Sequence, residues 1–222
     1  MTEKEAIFAR HSVRQFRDVP IEEEKVCRLN EIIDECNSKS GLNFQLIIND
    51  AECFDTFLAH YGKFSNAKNY IALVGKKSTE NLDELCGYYG QKIVLAAQML
   101  GLNTCWVAGT YGKGKCKADI LSGEKIVCVI AVGYGENQGR ERKSRPLEKL
   151  CNVDEQNMPV WFKDGMEAAM KAPTALNQQK FYITLDGENV SFRAKHVPLA
   201  KLDLGIVKYN FEIGSGKSLA VQ

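Results

Sequence analysis

The segment LAAQMLGLNTCWVAG, residues 95–109, contains the end of a long helix and the chain that leaves it. Ser78 or Thr79 is the predicted N-cap of this helix, and Gly101 is predicted to end it in the left-handed conformation. Downstream, the continuous apolar run over residues 126–132 predicts a central strand. The apolar side of the helix has the expected spacing, with Leu82, Leu85, Tyr89, Ile93, Ala96, Ala97 and Leu100.

Helices and strands are mixed along the rest of the chain. Helices are predicted over residues 3–9, 21–36, 52–60, 159–171 and 199–212, and strands over residues 43–48, 70–74, 179–185 and 190–193. Thr2 and Glu5 form a capping box for the first helix, and Asp186-Gly187 is a hairpin signal between the last two strands. Residues 135–146 are polar, basic and typical of a loop or linker. This mixture predicts an α+β fold.

Composition excludes several classes of protein. The 222 residues are 45% apolar, which supports a folded core rather than disorder. Lys and Arg number 29 against 28 Asp and Glu, so no global basic field indicates a nucleic-acid partner. No apolar run approaches the length of a membrane span, and the charged N-terminus does not resemble a secretory signal. We therefore expect a cytoplasmic protein without a membrane partner.

The eight cysteines contain no C-x-x-C pair, and the three histidines are well separated. Without an export signal we expect reduced thiols, and the spacing predicts no metal site. Cys27, Cys105 and Cys128 have apolar neighbours in sequence and are predicted to be small core residues.

Residues 10–16, RHSVRQF, combine two arginines, a histidine and a serine. In an extended segment alternate side chains share a face, so Arg10, Ser12 and Arg14 are predicted to point the same way, with His11 beside them. Two guanidinium groups and a hydroxyl suit a phosphate dianion. A motif this short is, on its own, more often an exposed basic turn.

Residues 109–116, GTYGKGKC, come close to a nucleotide-binding P-loop. The last position of that motif holds Ser or Thr, because magnesium prefers an oxygen ligand, and here it is Cys116. This segment therefore does not predict nucleotide hydrolysis.

One short pattern occurs twice. Residues 41–45, GLNFQ, and residues 175–179, ALNQQ, each follow a predicted helix and lead into a predicted strand with an Asn-x-Gln sequence. The repetition suggests two related half-units, which we place at residues 1–150 and 151–222.

Four features occur in one order: residues 10–16, residues 95–109, the strand VIAVGY at 129–134 with the basic residues that follow it, and APTALNQQ at 172–179. Together they resemble the FMN-dependent nitroreductase superfamily over most of the chain. That resemblance implies a central, mainly antiparallel sheet flanked by helices.

The order of one motif departs from typical members, in which Ala-Pro-Ser-x-x-Asn-x-Gln-Pro comes early. Here the early copy is degraded, at residues 38–45, and the better copy lies at 172–179. The chain is therefore similar to the single-chain, rearranged branch. That similarity implies a pseudo-dimeric monomer, with a homodimer as the alternative, in which residues 1–150 hold the FMN phosphate and 151–222 complete the flavin site.

For the phosphate, the resemblance implies that Arg10 and Ser12 bind it with a contribution from His11. Arg14 would reach the phosphate or the pyrimidine edge of the flavin, and Lys143 and Arg145 would return to the phosphate. For Arg140 and Arg142 a solvated linker is the preferred interpretation.

For the flavin ring, the resemblance implies that Val107, Ala108 and Gly109 pass its centre and that a backbone N–H donates to N5. Asn177 and Gln179, in the late motif with Pro173 and Thr174, are the preferred readers of the carbonyl and imide edge. Asn43 and Gln45 of the early copy are the alternative.

The implied activity is a ping-pong oxidoreduction in which FMN takes hydride from NAD(P)H and passes it to a small electron-poor acceptor, such as a nitroaromatic or a quinone. No catalytic side chain is required, because the cofactor supplies the chemistry. Two alternatives remain: a flavin carrier, sensor or processing protein without NAD(P)H turnover, and an interaction module that binds no flavin.

Overall fold

The computed structural model describes residues 1–219 and has the predicted α+β composition. Its helices are α1 (Glu3–Ala9), α2 (Glu23–Ser40), α3 (Phe57–Tyr61), α4 (Leu82–Met99), α5 (Val160–Met170) and α6 (Ala200–Ser215). Its strands are β1 (Gln45–Ile47), β2 (Tyr70–Lys76), β3 (Asn103–Val107), β4 (Glu124–Gly133), β5 (Phe181–Asp186) and β6 (Asn189–Ala194).

The main sheet has four strands in the order β1-β2-β4-β3, and every neighbouring pair is antiparallel. β2 and β4 occupy its centre, in register at Ile71 and Ile130, and both are buried along most of their length. Two buried faces explain why β4 is a continuous apolar run rather than an alternating one. β5 and β6 form a separate two-stranded antiparallel hairpin. The predicted mainly antiparallel sheet is confirmed.

Several local predictions are confirmed by hydrogen bonds and backbone angles. Thr2 N donates to Glu5 Oε2 over 2.7 Å and Glu5 N donates to Thr2 Oγ1 over 3.2 Å, which is the capping box. Gly101 has φ +78° two residues after the end of α4, and Gly187 turns the β5–β6 hairpin. These features depend on a few neighbouring residues, so the local sequence is sufficient to predict them.

Other boundaries differ from the predictions. α4 begins at Leu82 after Asn81 in the left-handed conformation, so the predicted caps at Ser78 or Thr79 are wrong. β3 was not predicted, because its first residues are polar and become buried only through tertiary contacts. In place of a helix over 52–60, the chain makes turns followed by the five-residue α3. Cys27 is exposed rather than in the core, whereas Cys105 and Cys128 are buried as predicted.

The chain divides into two compact units, each built from segments that are separate in sequence. Among the described residues, unit I comprises Met1–Phe8, Asp83–Lys92 and residues 141–219, and unit II comprises Ala9–Leu82 and Ile93–Arg140. The proposed half-units at 1–150 and 151–222 concern internal duplication, which spatial grouping does not address, and they stay a prediction.

Unit II contains the main sheet. α2 packs beside β1 through a face that buries Leu29, Ile33 and Cys36. The ring of Phe54 lies 4.9 Å from that of Phe64 and 5.9 Å from that of Tyr70, measured between centroids. These aromatic contacts fix the loop before α3 to strand β2.

Unit I is built on α5, α6 and the first half of α4. α4 and α6 approach at two glycines: a Cβ on Gly87 would lie 2.0 Å from Leu202 O, and one on Gly205 would lie 2.0 Å from Glu84 O. The two backbones are therefore in direct contact, which only glycine permits. Phe211 of α6 packs edge-to-face on Phe162 of α5, with centroids 5.6 Å apart.

Candidate functional site

Within residues 10–16 of unit II, Ser12 and Val13 pair with strand β3. Ser12 forms an isolated parallel bridge with Thr104, and Val13 N donates to Thr104 O over 3.0 Å. Val13 and Phe16 are buried, which anchors the extended segment through its apolar side chains. Arg14 and Gln15, between them, are held by Ser65, whose N donates to Arg14 O over 3.1 Å and whose O accepts from Phe16 N over 3.0 Å.

Arg10 and Ser12 lie together, in agreement with the predicted alternation. Arg10 is only 6% exposed, and its Nη2 donates to Ser12 Oγ over 3.2 Å. The Arg14 guanidinium lies over the ring of Phe64, 6.0 Å from its centroid, a distance typical of a cation–π contact. A buried guanidinium interacts more strongly with an anion than an exposed one, because less water screens its charge.

Residues 134–139 close around this segment. Arg17 N donates to Tyr134 O over 2.7 Å, and Glu136 N donates to Gln15 O over 2.9 Å. Gly139 has φ +75°, and a Cβ there would lie 2.7 Å from His11 Cβ. The first part of the predicted linker over 135–146 is thus tied to residues 11–17 by hydrogen bonds and close packing.

The C-terminal end of β3 leaves its backbone accessible. Val107 is buried, Ala108 is half-buried and Gly109 is exposed. A Cβ on Gly109 would have no heavy atom of residues 1–219 within 4 Å, so the space above this backbone is open. The indole Nε1 of Trp106, just before, is buried and finds no hydrogen-bond partner in the described part of the chain. Open space next to a glycine backbone is the arrangement that the predicted flavin contact requires.

In unit I the late Asn-x-Gln motif holds the backbone of residues 143–145. Gln179 is 2% exposed; its Oε1 accepts from Arg145 N over 2.8 Å, and its Nε2 donates to Lys143 O over 3.1 Å. Asn177 Nδ2 donates to the same Lys143 O over 2.9 Å. We call this arrangement the late clamp. The Lys143 side chain is exposed and that of Arg145 is half-buried.

The loop that carries the late clamp has an unusual backbone. Leu176, Asn177 and Gln179 all have φ between +45° and +54°, in the left-handed region that side chains disfavour. Thr174 Oγ1 accepts from Gln179 N over 3.1 Å, and half-buried Pro173 precedes it. Side-chain hydrogen bonds therefore maintain a conformation that the backbone alone would not favour.

Asp203 of α6 supports this loop and was not predicted as a site residue. Its Oδ1 accepts from Ala175 N and its Oδ2 from Gln178 Nε2, both over 2.9 Å. Burial raises the pKa of this carboxyl, while the bonds from Gln178 and Ala175 partly oppose the change. The sequence feature that could have identified Asp203 is its position as a single acidic residue on the apolar face of a predicted helix.

The early motif makes a similar arrangement in unit II, which we call the early clamp. Gln45 Oε1 accepts from Asp119 N over 2.8 Å, and Gln45 Nε2 donates to Asp119 O over 2.7 Å. Asn43 Nδ2 donates to Glu124 Oε2 over 3.0 Å. Both copies of the motif thus use a glutamine amide to bind backbone elsewhere in their own unit.

A metal centre is the other kind of site that cysteines, histidines and carboxylates could build. Across residues 1–219, no group of three or more His, Cys, Asp or Glu side chains is placed to hold a metal ion. In the same range, none of the helices is both long and apolar enough to span a bilayer.

Comparison with solved structures identifies the fold. A "putative nitroreductase" from Thermotoga maritima aligns with a TM-score of 0.68 and 22% identity, over 96% of this chain and 83% of its own. A "putative nitroreductase in complex with FMN" from Desulfovibrio desulfuricans aligns at 0.55 and 22%, over 72% and 99%. A "putative NADH dehydrogenase/NAD(P)H nitroreductase" from Bacteroides thetaiotaomicron aligns at 0.53 and 21%, over 67% and 95%. The molecule therefore has the nitroreductase fold.

The family model described as "Putative TM nitroreductase" matches residues 3–215, nearly the whole chain. The chain belongs to this family, which confirms the resemblance seen in its motifs. No curated protein matches it.

Proposed function

We propose that this protein is an FMN-dependent oxidoreductase. When bound, FMN would pass hydride from NAD(P)H through its N5 atom to an electron-poor acceptor such as a nitroaromatic or a quinone. Membership of the nitroreductase family and the similarity to a structure described as an FMN complex support the proposal.

The observation that carries the proposal is the parallel bridge between Ser12 and Thr104. It places Ser12 beside β3, and the chain that leaves β3 exposes the backbone of Gly109. FMN has a phosphate at one end and a ring at the other, so its site needs a cationic and a flat, open surface on neighbouring segments. Arg10, Ser12 and His11 would bind the phosphate.

At the ring, the backbone N–H of Ala108 or Gly109 would donate a hydrogen bond to N5. Arg14 would place its charge at the phosphate or at the pyrimidine edge, where a cation favours the anionic reduced flavin. Val107 would contribute apolar contact.

In unit I, the late clamp would position Lys143 and Arg145 for the phosphate. Asn177 and Gln179 would bind the flavin edge through the amide lone pairs and N–H groups that the late clamp does not use. Pro173 and Thr174 would hold the shape of the loop. Two acceptor lone pairs on each amide oxygen make a second hydrogen bond possible.

A visible absorption spectrum tests the proposal directly. The protein is incubated with FMN, desalted and titrated with NADH and NADPH without oxygen. We expect retained flavin bands that bleach with at least one nucleotide. Bands that persist would indicate a flavin carrier or sensor, and the absence of retained flavin would refute the phosphate assignment.

Arg10→Ala tests the phosphate site, with Arg28→Ala as a matched control on the exposed surface of unit II, where Arg28 pairs with Glu31 at 2.6 Å. Loss of charge-assisted hydrogen bonds should raise the Kd for FMN about 10- to 100-fold in the first variant. The control should leave it unchanged. Equal affinities in both variants would contradict the assignment.

A further inference from the structure

Two loops of unit II bring a pair of cysteines together. Cys53 lies in the turns before α3, and Cys116 follows the short turn at Lys113–Lys115. Gly112 N donates to Cys53 O over 2.8 Å, which joins the loops through their backbones. Cys116 packs against the apolar cluster that contains Cys53, and the two thiols interact electrostatically. The pair is therefore held by the fold rather than by sequence proximity.

A polar network surrounds the pair. The Tyr70 hydroxyl, on β2, donates to Asp50 Oδ2 over 2.5 Å and accepts from Lys117 N over 3.0 Å. Lys117 Nζ lies 3.3 Å from Asp50 Oδ1. The Asp50 carboxylate beside the pair is therefore held by the Tyr70 hydroxyl and the Lys117 ammonium group.

The two cysteines differ in accessibility and in protonation. Cys53 is fully buried at 0% exposure, whereas Cys116 is partly exposed. The contact with Cys53 lowers the pKa of Cys116 to about 6, against the opposing effects of burial and of the Asp50 carboxylate, and the same contact raises the pKa of Cys53. An oxidant in solution can reach only the accessible sulfur, which also has the lower pKa, so Cys116 suits the role of nucleophile and Cys53 that of resolving thiol.

We propose that Cys116 and Cys53 form a redox-active dithiol that reduces hydroperoxides and closes to an intramolecular disulfide. The Cys116 thiolate attacks the outer oxygen of ROOH; the O–O bond breaks, and the alkoxide takes a proton to leave as ROH. Cys116 becomes a sulfenic acid. The Cys53 sulfur then attacks the Cys116 sulfur, the S–O bond breaks, and the hydroxyl leaves as water with the Cys53 proton.

Small hydroperoxides are the favoured oxidants, because Cys116 is only partly exposed and Cys53 not at all. Metal binding would be the other use of two thiols, but no sufficient ligand group exists among the described residues. The proposal uses no flavin residue and is independent of the proposed FMN activity.

Stoichiometric hydrogen peroxide, added to the reduced full-length protein, tests the reaction. Mass spectrometry of a non-reducing digest should find the peptides of Cys53 and Cys116 joined, with the bond reversed by dithiothreitol. Because this result needs no substitution, it does not depend on the folding of a variant. Cross-links that avoid this pair, or none at all, would overturn the proposal.

Three variants assign the roles. Cys53→Ala should leave Cys116 as a sulfenic acid that dimedone traps, and Cys116→Ser should leave Cys53 unoxidised because peroxide does not reach it. Cys27→Ser, which removes an exposed cysteine of the same unit, should not change the yield of the cross-link. Dimedone labelling of Cys53 instead of Cys116 would refute the assignment of nucleophile.

The pH dependence of alkylation gives a separate readout. The groups that face Cys116 are Cys53, Tyr70, Asp50, Tyr111 and Lys117. Because the pKa of Cys116 is about 6, the rate at which iodoacetamide labels this cysteine should rise about tenfold per pH unit below pH 6. The rate should level off above about pH 7. A rate that continues to rise beyond pH 8 would contradict a thiolate at neutral pH.

Discussion

Gly109 offers a test of ligand contact that is separate from protein stability. An added Cβ would meet no atom of residues 1–219 within 4 Å, and the same is true at Gly114 in the neighbouring loop. Gly109→Ala and Gly114→Ala should therefore each change the free energy of unfolding of the flavin-free protein by less than about 0.5 kcal/mol. Only Gly109→Ala should weaken FMN binding, by about tenfold, measured by fluorescence quenching. Equal affinities would place the flavin ring elsewhere.

Asp203 predicts a dependence of stability on pH. Burial raises the pKa of its carboxyl, so the folded state holds the proton more tightly than the unfolded state. Its contribution is complete below the ordinary value of 3.8 and is lost as pH rises through the raised pKa. Relative to Asp203→Asn, the wild type should lose stability over that interval in urea unfolding. A constant difference would contradict the raised pKa.

At the scale of elements, the contact between α4 and α6 depends on glycine. Gly205→Ala should lose about 1–3 kcal/mol of unfolding free energy, because the new Cβ meets the Glu84 carbonyl and overpacking outweighs the gain in helix propensity. Lys201→Ala, exposed on the same helix, is the control and should change little. Urea unfolding measures both. A more stable Gly205→Ala would show that the helices separate readily.

The early and late clamps are chemically similar. The same substitution made in each of them can therefore show which motif binds the edge of the flavin. Gln179→Ala removes hydrogen bonds that hold the backbone of Lys143 and Arg145, and it should raise the Kd for FMN about tenfold. Gln45→Ala removes the bonds to Asp119 and should lower stability without a change in Kd. The reverse pattern in an FMN titration would favour Asn43 and Gln45 as the readers.

For the whole molecule, the position of the motifs predicts a single-chain flavin site. Light scattering with flavin quantification should find a monomer with one FMN per chain. An obligate dimer with two flavins would support the homodimer alternative. The cytoplasmic location and the lack of a nucleic-acid partner, expected from the composition, stay predictions.

Much of the architecture was predictable because it depends on local patterns. The apolar run of β4, the capping box at Thr2 and Glu5, and the hairpin at Asp186-Gly187 each depend on a few adjacent residues. The family could also be predicted from the order of four motifs, and the family comparison confirms it. For the basic segment, the predicted proximity of Arg10 and Ser12 is the part that the structure shows.

The remaining features required partners that are distant in sequence. β3 begins with Asn103 and Thr104, whose burial is favourable because Val13 N, Gly135 N and Gln138 bind their polar groups. The sequence around Gln45 and Gln179 does not distinguish an amide that binds a ligand from one that binds the protein backbone. Their binding to backbone could therefore be seen only in the structure.

The amino-acid sequence by itself determined the α+β class, the family, and the residue types available for a phosphate site. The tertiary structure decided which residues lie together: the cysteines at 53 and 116 in one apolar cluster, Asp203 with the loop at 175–178, and Ser12 with Thr104 of β3. The physical reason is that hydrogen bonding and burial depend on distance in space, whereas helix, turn and strand preferences depend on neighbours along the chain.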